Sequence, residues 1–274
     1  MTDSEQVRYF VIGAPKCAST SLYDLFSNDP DYAVTEIKET NHFSAEDVDN
    51  GHYDDATVVR EREDYDAQFT TPGIRIDVCP SYMSSPSALR RIKDYNREAR
   101  VLILIRDPIK RAVSHYKMDV TLGFCKPDTF ETIWESKAGT HYHEYFGIGK
   151  YSEWISLWQD AFGSDQVFIA NLTEHPLKDS QRVMEAFLER PFSADRLPVS
   201  NVANTYNLPI PILRKLGVIR LVNRYMPTSI KDVIKQVVPR KAPMTVEIPP
   251  WMQEQLDTFY ADEFALLKAM QSTA

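Results

Sequence analysis

Short apolar runs rich in β-branched residues alternate along the chain with segments of helical periodicity. The apolar runs predict five strands, at Tyr9–Ile12, Tyr32–Val34, Ile74–Val78, Val101–Ile105 and Val167–Ala170. The periodic segments predict helices near residues 21–28, 87–96, 108–122, 152–162, 180–188 and 250–270. Such alternation is typical of a parallel sheet covered by helices on both faces. We therefore expect an α/β fold with a central parallel sheet of about five strands and a helical C-terminal region.

The composition is that of one globular domain. No Gly/Ser/Pro-rich linker divides the 274 residues, and the polar, acidic start lacks the basic-then-apolar profile of a signal peptide. The longest strongly apolar run, residues 101–105, is far below the roughly 20 residues that cross a bilayer. Three widely spaced cysteines predict neither a disulfide framework nor a zinc site. We expect a cytoplasmic protein without a transmembrane segment or a metal centre.

The charge is unevenly distributed. Residues 214–241 hold eight lysines and arginines against one acid, a net charge of +7. That leaves −15 for the rest of a chain whose formal net charge is −8. The balance argues against nucleic-acid binding and leaves one local patch for an anion or a membrane surface.

The first predicted strand runs into a loop that combines a lysine with small hydroxyl residues. It reads Gly13-Ala-Pro-Lys-Cys-Ala-Ser-Thr-Ser21, and a helical pattern follows at once. Backbone N–H groups at a helix N-terminus, with a lysine nearby, form a site for a phosphate. The Gly-Lys-Ser/Thr of a Walker A loop is missing, which disfavours magnesium-dependent ATP or GTP chemistry. The alternative is a plain turn whose helix is capped by Ser19 or Thr20.

The buried run 101–105 ends at Arg106-Asp107-Pro108, where open α/β sheets bind ligands. Pro108 suits the first turn of the next helix. Arg106, Arg111 and Ser114 can converge on one phosphate, because Arg111 and Ser114 are three residues apart on that helix. The alternative is that Arg106 and Asp107 pair with their neighbours.

Together these two elements resemble the cofactor-binding segments of the PAPS-dependent sulfotransferase superfamily, where PAPS is 3′-phosphoadenosine 5′-phosphosulfate. PKCASTS at Pro15–Ser21 is similar to the 5′-phosphosulfate loop, and RDPIKRAVSHY at Arg106–Tyr116 to the 3′-phosphate strand and helix. Three further family segments match in order: KETNHF at Lys38–Phe43, DVCPSY at Asp77–Tyr82 and GKY at Gly149–Tyr151. The likeness covers roughly residues 8–190. It is closer to the carbohydrate branch, which includes heparan sulfate enzymes, and to soluble bacterial relatives.

The resemblance implies transfer of the sulfuryl group of PAPS to an acceptor hydroxyl or amine, with release of PAP and without a metal. It implies a P-loop-like sheet, Glu39 as general base and Lys16 as the residue that stabilises the leaving phosphate. His42 is a rival base because its intrinsic pKa is closer to neutrality. The resemblance assigns cofactor binding to Pro15, Lys16, Cys17, Ala18, Ser19, Thr20, Ser21, Arg106, Ser114 and Tyr151.

The sequence departs from the family pattern at three positions. Ala18 replaces the usual loop glycine, so the turn must accept a Cβ there. Val78 stands where heparan sulfate enzymes often carry a lysine near the acceptor. Cys79 replaces a serine or threonine.

We expect a single domain, residues 1–274, with a PAPS-binding core over 8–190, a basic helical lid or cap over 205–245, and a C-terminal helix over 250–270. From the lid, Arg214 or Arg220 is expected to reach the 3′-phosphate. The amphipathic stretch 212–241 can instead contact an anionic membrane or simply cap the core. We expect a carbohydrate hydroxyl, free or lipid-linked, as acceptor. Two alternative functions are a P-loop nucleotide kinase and a catalytically silent PAP- or nucleotide-binding module.

Overall fold

The computed structural model describes residues 6–49, 56–173, 181–192, 210–215 and 244–271. Its centre is a five-stranded parallel sheet with the strand order β2-β3-β1-β4-β5. The strands are β1 (Tyr9–Gly13), β2 (Tyr32–Val34), β3 (Ile74–Val78), β4 (Arg100–Ile105) and β5 (Val167–Asn171). Because all five run in the same direction, their carboxyl ends meet at one edge of the sheet.

Helices connect and surround the strands. They are α1 (Ser19–Ser27), α2 (Ala45–Asp49), α3 (Arg62–Asp66), α4 (Pro86–Tyr95), α5 (Pro108–Leu122), α6 (Phe130–Ser136), α7 (Thr140–Tyr145), α8 (Tyr151–Phe162), α9 (Gln181–Leu188), α10 (Ile210–Lys215), α11 (Pro250–Phe259) and α12 (Ala261–Gln271). Helix α1 packs against β2 and β3, whereas α8 packs against β4 and β5.

The strand order creates a crevice between β1 and β4, which are neighbours in the sheet. After β1 the chain continues toward β2 at one edge, and after β4 it continues toward β5 at the other. The loops that follow β1 and β4 therefore diverge. Open α/β sheets bind ligands outside the strand ends at such a point.

Two hydrophobic clusters hold the fold together. The larger one encloses the central strands, and every residue of β1 is buried. The smaller one joins α5, α6, α7 and α11, and it includes Ile109, Trp134, Phe146 and Leu256. One face of helix α5 is thus buried in the smaller cluster, and this packing fixes the orientation of its opposite face.

The ends of α5 follow from its sequence. The side chain of Asp107 accepts a hydrogen bond from the backbone N–H of Lys110 at 2.8 Å, and Pro108 occupies the first helical position. Gly123 ends the helix with φ of 80°, a conformation that costs glycine little. The boundaries 108–122 agree with the prediction because these signals are local.

The α/β fold and all five predicted strands are confirmed. The single C-terminal helix is wrong, because α11 ends at Phe259 and α12 begins at Ala261. Tyr260 lies between them, buried, and its hydroxyl donates to the carbonyl of Phe146 at 2.8 Å. The single-domain organisation stays a prediction, and most of the expected lid over 205–245 lies outside the described residues.

Candidate active site

The loop after β1 is held against β4. The backbone N–H of Ala14 donates to the carbonyl of Leu104 at 2.7 Å, and that of Cys17 donates to the carbonyl of Ala14 at 3.1 Å. Lys16 and Ala18 adopt left-handed conformations, with φ of 69° and 60°. The turn does accept a Cβ at Ala18, at the cost that a left-handed residue other than glycine carries.

Helix α1 begins directly after this loop. Its N-cap is Ala18, and no side chain caps it, so the capping by Ser19 or Thr20 considered above does not occur. Ser19, Thr20 and Ser21 form the first turn. The first N–H groups of a helix without a side-chain cap can donate to an anion.

Lys16 extends from the loop toward α5. Its Nζ lies 3.4 Å from Sδ of Met118, and a thioether is only a weak acceptor. Burial lowers the pKa of Lys16, the charge of Arg106 lowers it further, and the charge of Glu39 raises it. Lys16 is therefore a buried cation that lies near another cation.

Arg106 and Ser114 share a cavity with Lys16 at the carboxyl edge of the sheet. The cavity has a volume of about 850 Å³. One terminal nitrogen of Arg106 donates to the carbonyl of Lys110 at 2.9 Å. Its Nε is buried and has no hydrogen-bond partner among the described residues. Asp107 caps α5 through the backbone N–H of Lys110, so both Arg106 and Asp107 bond to a neighbouring residue, as the alternative expected, while Arg106 also lines the cavity.

One face of α5 lines the cavity over its whole length. The lining residues recur at helical spacing: Lys110, Val113, Ser114, Lys117, Met118, Thr121 and Leu122. Further lining residues come from the end of the expected lid and from the segment after it: Met244, Ile248, Gln253, Asp257 and Phe264. The cavity therefore combines cationic and apolar surface.

Arg111 does not join this site, and its predicted convergence with Ser114 is wrong. Its side chain is fully buried and donates to the carbonyls of Glu144 and Tyr145, at 2.7 and 2.5 Å. It thus fixes α5 to α7. Burial lowers the pKa of the neighbouring His115 to about 3, so that imidazole is neutral.

Glu39 and His42 differ sharply in their surroundings. The side chain of Glu39 is 45% exposed, pairs with Lys38, and is close enough for its charge to raise the pKa of Lys16. His42 is buried, its Nδ1 lies 2.8 Å from the carbonyl of Val59, and its ring stacks on Tyr65. Burial lowers the pKa of His42. Of the two, only Glu39 is both exposed and close enough to influence the charge of the lysine in the phosphate loop.

The segment after β3 lies between the phosphate loop and the loop of Glu39. The backbone N–H of Met83 donates to the carbonyl of Ile12 at 2.8 Å. A Cβ on Gly13 would lie 2.5 Å from Cβ of Met83, so this contact requires glycine. On the other side, the thiol of Cys79 donates to Oδ1 of Asn41 at 3.4 Å. Cys79, which stands where the family has a serine or threonine, therefore still supplies a hydrogen-bond donor.

Asp77 is buried at the end of β3 and accepts hydrogen bonds from the hydroxyls of Tyr65 and Tyr82, at 2.8 and 2.9 Å. Burial raises the pKa of Asp77 to about 6, although both hydrogen bonds oppose the shift. The hydroxyl of Tyr82 also lies 3.3 Å from Oγ1 of Thr40, the residue next to Glu39. The sequence analysis singled out neither Asp77 nor Thr40 as a site residue.

Tyr151 and Cys17 lie in the core beneath the phosphate loop. Both are buried, and neither lines the cavity. The hydroxyl of Tyr151 has no hydrogen-bond partner within the part of the chain that the structure describes. Burial raises the pKa of the Cys17 thiol, which makes it a packing residue of the loop.

Of the two arginines expected from the lid, Arg214 lies within the described residues and Arg220 does not. Nε of Arg214 donates to the carbonyl of Leu122 at 2.6 Å, and its guanidinium lies 3.7 Å from the centre of the Phe124 ring. The helix from Ser114 to Leu122 spans about 12 Å. Arg214 thus lies at the far end of α5 from Ser114, and its expected contact with the 3′-phosphate stays a prediction. Arg220 lies outside the described residues.

Comparison with known proteins identifies the family of this chain. The model of the sulfotransferase domain matches residues 6–206. The chain therefore belongs to the sulfotransferase family. No curated protein matches its sequence.

Two solved structures show the same fold. A sulfotransferase from Alicyclobacillus acidocaldarius is 22% identical with a TM-score of 0.65, over 97% of this chain and 95% of that one. The mouse sulfotransferase SULT7A1, solved with PAP, is 13% identical with a TM-score of 0.51, over 97% and 89% of the two chains. The resemblance to sulfotransferases is confirmed, and membership of the carbohydrate branch stays a prediction.

Two kinds of feature are absent from the described residues. No group of three or more His, Cys, Asp or Glu side chains there could hold a metal ion. No helix in the same residues is long and apolar enough to cross a bilayer.

Proposed function

We propose that this protein transfers the sulfuryl group of PAPS to an acceptor hydroxyl or amine and releases PAP. The observation that carries the proposal is the meeting of Lys16, Arg106 and Ser114 in one cavity where β1 and β4 end. The loop and the helix come from segments about 90 residues apart, and the parallel sheet brings them together.

The residues present fit PAPS. The buried Nε of Arg106 is a charged donor without a partner among the described residues, and such a group is costly unless a ligand satisfies it. Lys16 and Arg106 disfavour each other's charge, so an anion between them would relieve the repulsion. Ser114 adds a hydroxyl donor in the same cavity.

PAPS, when bound, supplies an activated sulfuryl group on its 5′-phosphate. We assign the 3′-phosphate to Arg106 and Ser114, and the 5′-phosphate to Lys16 and the first N–H groups of α1. Lys16 then neutralises the charge that develops on the leaving phosphate, an interaction that strengthens as the reaction proceeds. We assign the proton of the acceptor to Glu39, because this carboxylate is half exposed and its charge acts on Lys16.

His42 fits the role of base less well. Its Nδ1 faces the carbonyl of Val59. Its ring stacks on Tyr65 and meets Phe43 edge-on. A buried imidazole that is held in this way supports the loop and has no path to an acceptor.

We place the acceptor on the side of the cavity beyond Met118. Met118 touches Lys16, so the sulfuryl end of the donor lies near it, and the cavity continues past it to Thr121 and Leu122. We propose a carbohydrate hydroxyl, free or lipid-linked, as acceptor. The likeness of the motifs to the carbohydrate branch supports this, and apolar Met118 and Leu122 can hold the alkyl part of a lipid-linked sugar.

A thermal-shift panel with PAP, PAPS and ATP-magnesium tests the donor. PAP at 100 times its dissociation constant should stabilise the fold by about 2.7 kcal/mol without a divalent metal. Arg106→Ala should abolish most of this shift, and Arg90→Ala, which removes an exposed cation that pairs with Glu46 and does not line the cavity, should not. A shift with ATP-magnesium and none with PAP contradicts the proposal. Labelled sulfate released from ³⁵S-PAPS distinguishes an enzyme from a silent PAP-binding module.

A further inference from the structure

The backbone of Glu39 adopts a conformation that glutamate rarely takes. Its φ is 63°, in the left-handed region, and that of Asn41 is 51°. Asparagine tolerates this region, but glutamate is strained in it. Such a conformation persists only where the surrounding structure holds it, and it often marks a functional residue.

The side chain of Asn41 supplies this support. Its Nδ2 donates to the carbonyl of Glu39 at 3.1 Å and to the carbonyl of Thr57 at 2.9 Å. Its Oδ1 accepts from the hydroxyl of Ser81 at 2.7 Å and from the thiol of Cys79. Both amide protons and the oxygen of this carboxamide thus form hydrogen bonds, and the residue is only 8% exposed.

A second connection reaches the same loop from β3. Tyr82 donates to Asp77, and its oxygen lies 3.3 Å from Oγ1 of Thr40. The backbone of Thr40 in turn accepts from the N–H of Val59 at 2.9 Å. The two residues after Glu39 are therefore both fixed to the segment that continues β3, while the carboxylate itself stays exposed.

We propose that Asn41 is a positioning residue, which holds Glu39 in its left-handed conformation so that the carboxylate faces Lys16 and the acceptor. The inference rests on the proposed function, in which Glu39 is the general base. Proton transfer depends steeply on geometry, and a displacement of about 1 Å can cost 100-fold in rate. The carboxamide acts through the Glu39 backbone and does not touch the substrates.

The test is Asn41→Gly. Glycine accepts φ of 51° without strain, so this change removes the carboxamide and leaves the local backbone preference intact. With ³⁵S-PAPS and water as acceptor, we expect kcat for release of labelled sulfate to fall by about 10- to 100-fold. The affinity for PAP, measured by calorimetry, should change by less than about 2-fold, because Asn41 is not in the PAP site.

Asn171→Ala is the matched control. Asn171 is also 8% exposed, and its carboxamide donates to the carbonyl of Leu267 and accepts from the N–H of Thr173, at 3.0 and 2.9 Å. Losing it should lower the melting temperature and leave kcat unchanged. If both variants lower kcat in proportion to their lost stability, Asn41 is merely structural and the proposal fails.

A double-mutant cycle separates this proposal from the assignment of Glu39. In a Glu39→Gln background, Asn41→Gly should lower the residual rate by less than about 2-fold, because the group it positions is already gone. An equal loss in both backgrounds overturns the positioning role. Full turnover by Glu39→Gln alone overturns the proposed base, whatever Asn41 does.

A milder variant covers the case in which Asn41→Gly does not fold. Ser81→Ala removes the 2.7 Å donor to Oδ1 of Asn41 and, with it, the longer contacts of this hydroxyl with Ser44 and Cys79, at 3.1 and 3.2 Å. One hydrogen bond of this kind corresponds to roughly a 5-fold change. We expect kcat to fall by about that factor, and Ser81→Thr, which restores the hydroxyl, to recover it. An unchanged kcat in Ser81→Ala contradicts the proposal.

Discussion

Asp77→Asn should change how the stability of this protein depends on pH. The carboxyl group of Asp77 is buried, and its pKa is raised from 3.8 to about 6, first by burial. In the unfolded chain the group ionises at about pH 4, whereas in the folded protein it holds its proton up to about pH 6. Between these values the folded state binds more protons, so stability falls as the pH rises.

The magnitude follows from the two pKa values. The rise of the pKa from 3.8 to about 6 corresponds to about 3 kcal/mol, and about 2 kcal/mol of it is lost between pH 4 and pH 7. Asparagine keeps an oxygen that can accept from Tyr65 and Tyr82, but it does not titrate. Oδ1 of Asp77 has no hydrogen-bond partner within the described residues. The amide nitrogen that replaces it in Asp77→Asn also lacks a partner. The variant therefore gains less stability at pH 7 than the loss of the titrating group alone would give.

Urea unfolding of both proteins at several pH values between 4 and 7 measures this effect. The free energy of unfolding of Asp77→Asn minus that of wild type should rise by about 2 kcal/mol across the range. Taking the difference cancels the other titrating groups, which the two proteins share. A difference that stays constant with pH, or that falls, would refute a raised pKa for Asp77.

The remaining predictions concern the cavity and the base. Arg106→Ala should weaken PAP binding by about 1.5 to 3 kcal/mol in calorimetry, because a charged hydrogen bond is lost. A change below about 0.5 kcal/mol, which is typical of an exposed ion pair, would place the 3′-phosphate elsewhere. Lys16→Ala should reduce both PAP affinity and the rate of transfer from ³⁵S-PAPS, since its charge acts most as the phosphate leaves; normal transfer would exclude that role. Glu39→Gln should retain PAP affinity and lower turnover by roughly 100-fold or more. Near-normal turnover there, with none in a folded His42→Ala, would move the base to His42.

The sheet was predictable because its signals are local. Runs such as residues 101–105 are apolar throughout and bounded by charge, as buried parallel strands are. Helix α5 carries a capping aspartate, a proline and a terminal glycine within its own sequence. Helices α2, α3, α6 and α7, with five to seven residues each, are too short to show a periodicity.

The site was predictable only in part, because sequence spacing does not give burial. Arg111 and Ser114 are three residues apart, but the first packs against α7 and the second faces the cavity. His42 offered a suitable intrinsic pKa, and only the structure shows that its ring is stacked and bonded within the core. Asn41 lies in a polar loop, where no pattern marks a residue whose partners are some 40 positions away.

The segment Cys79–Met83 contacts both the donor loop after β1 and the loop that carries the proposed base. At one end it is pressed against Gly13, where the donor loop starts, and at the other it is bonded to Asn41, beside the base. These core contacts set the distance between the donor loop and Glu39. The α5 surface that we assign to the acceptor is not part of them. Under the proposed function, new acceptors can therefore be accommodated by exchanging side chains farther along α5 from Lys16, such as Thr121 and Leu122, while the transfer geometry stays the same. In this chain, the choice of substrate and the chemistry performed on it can change independently.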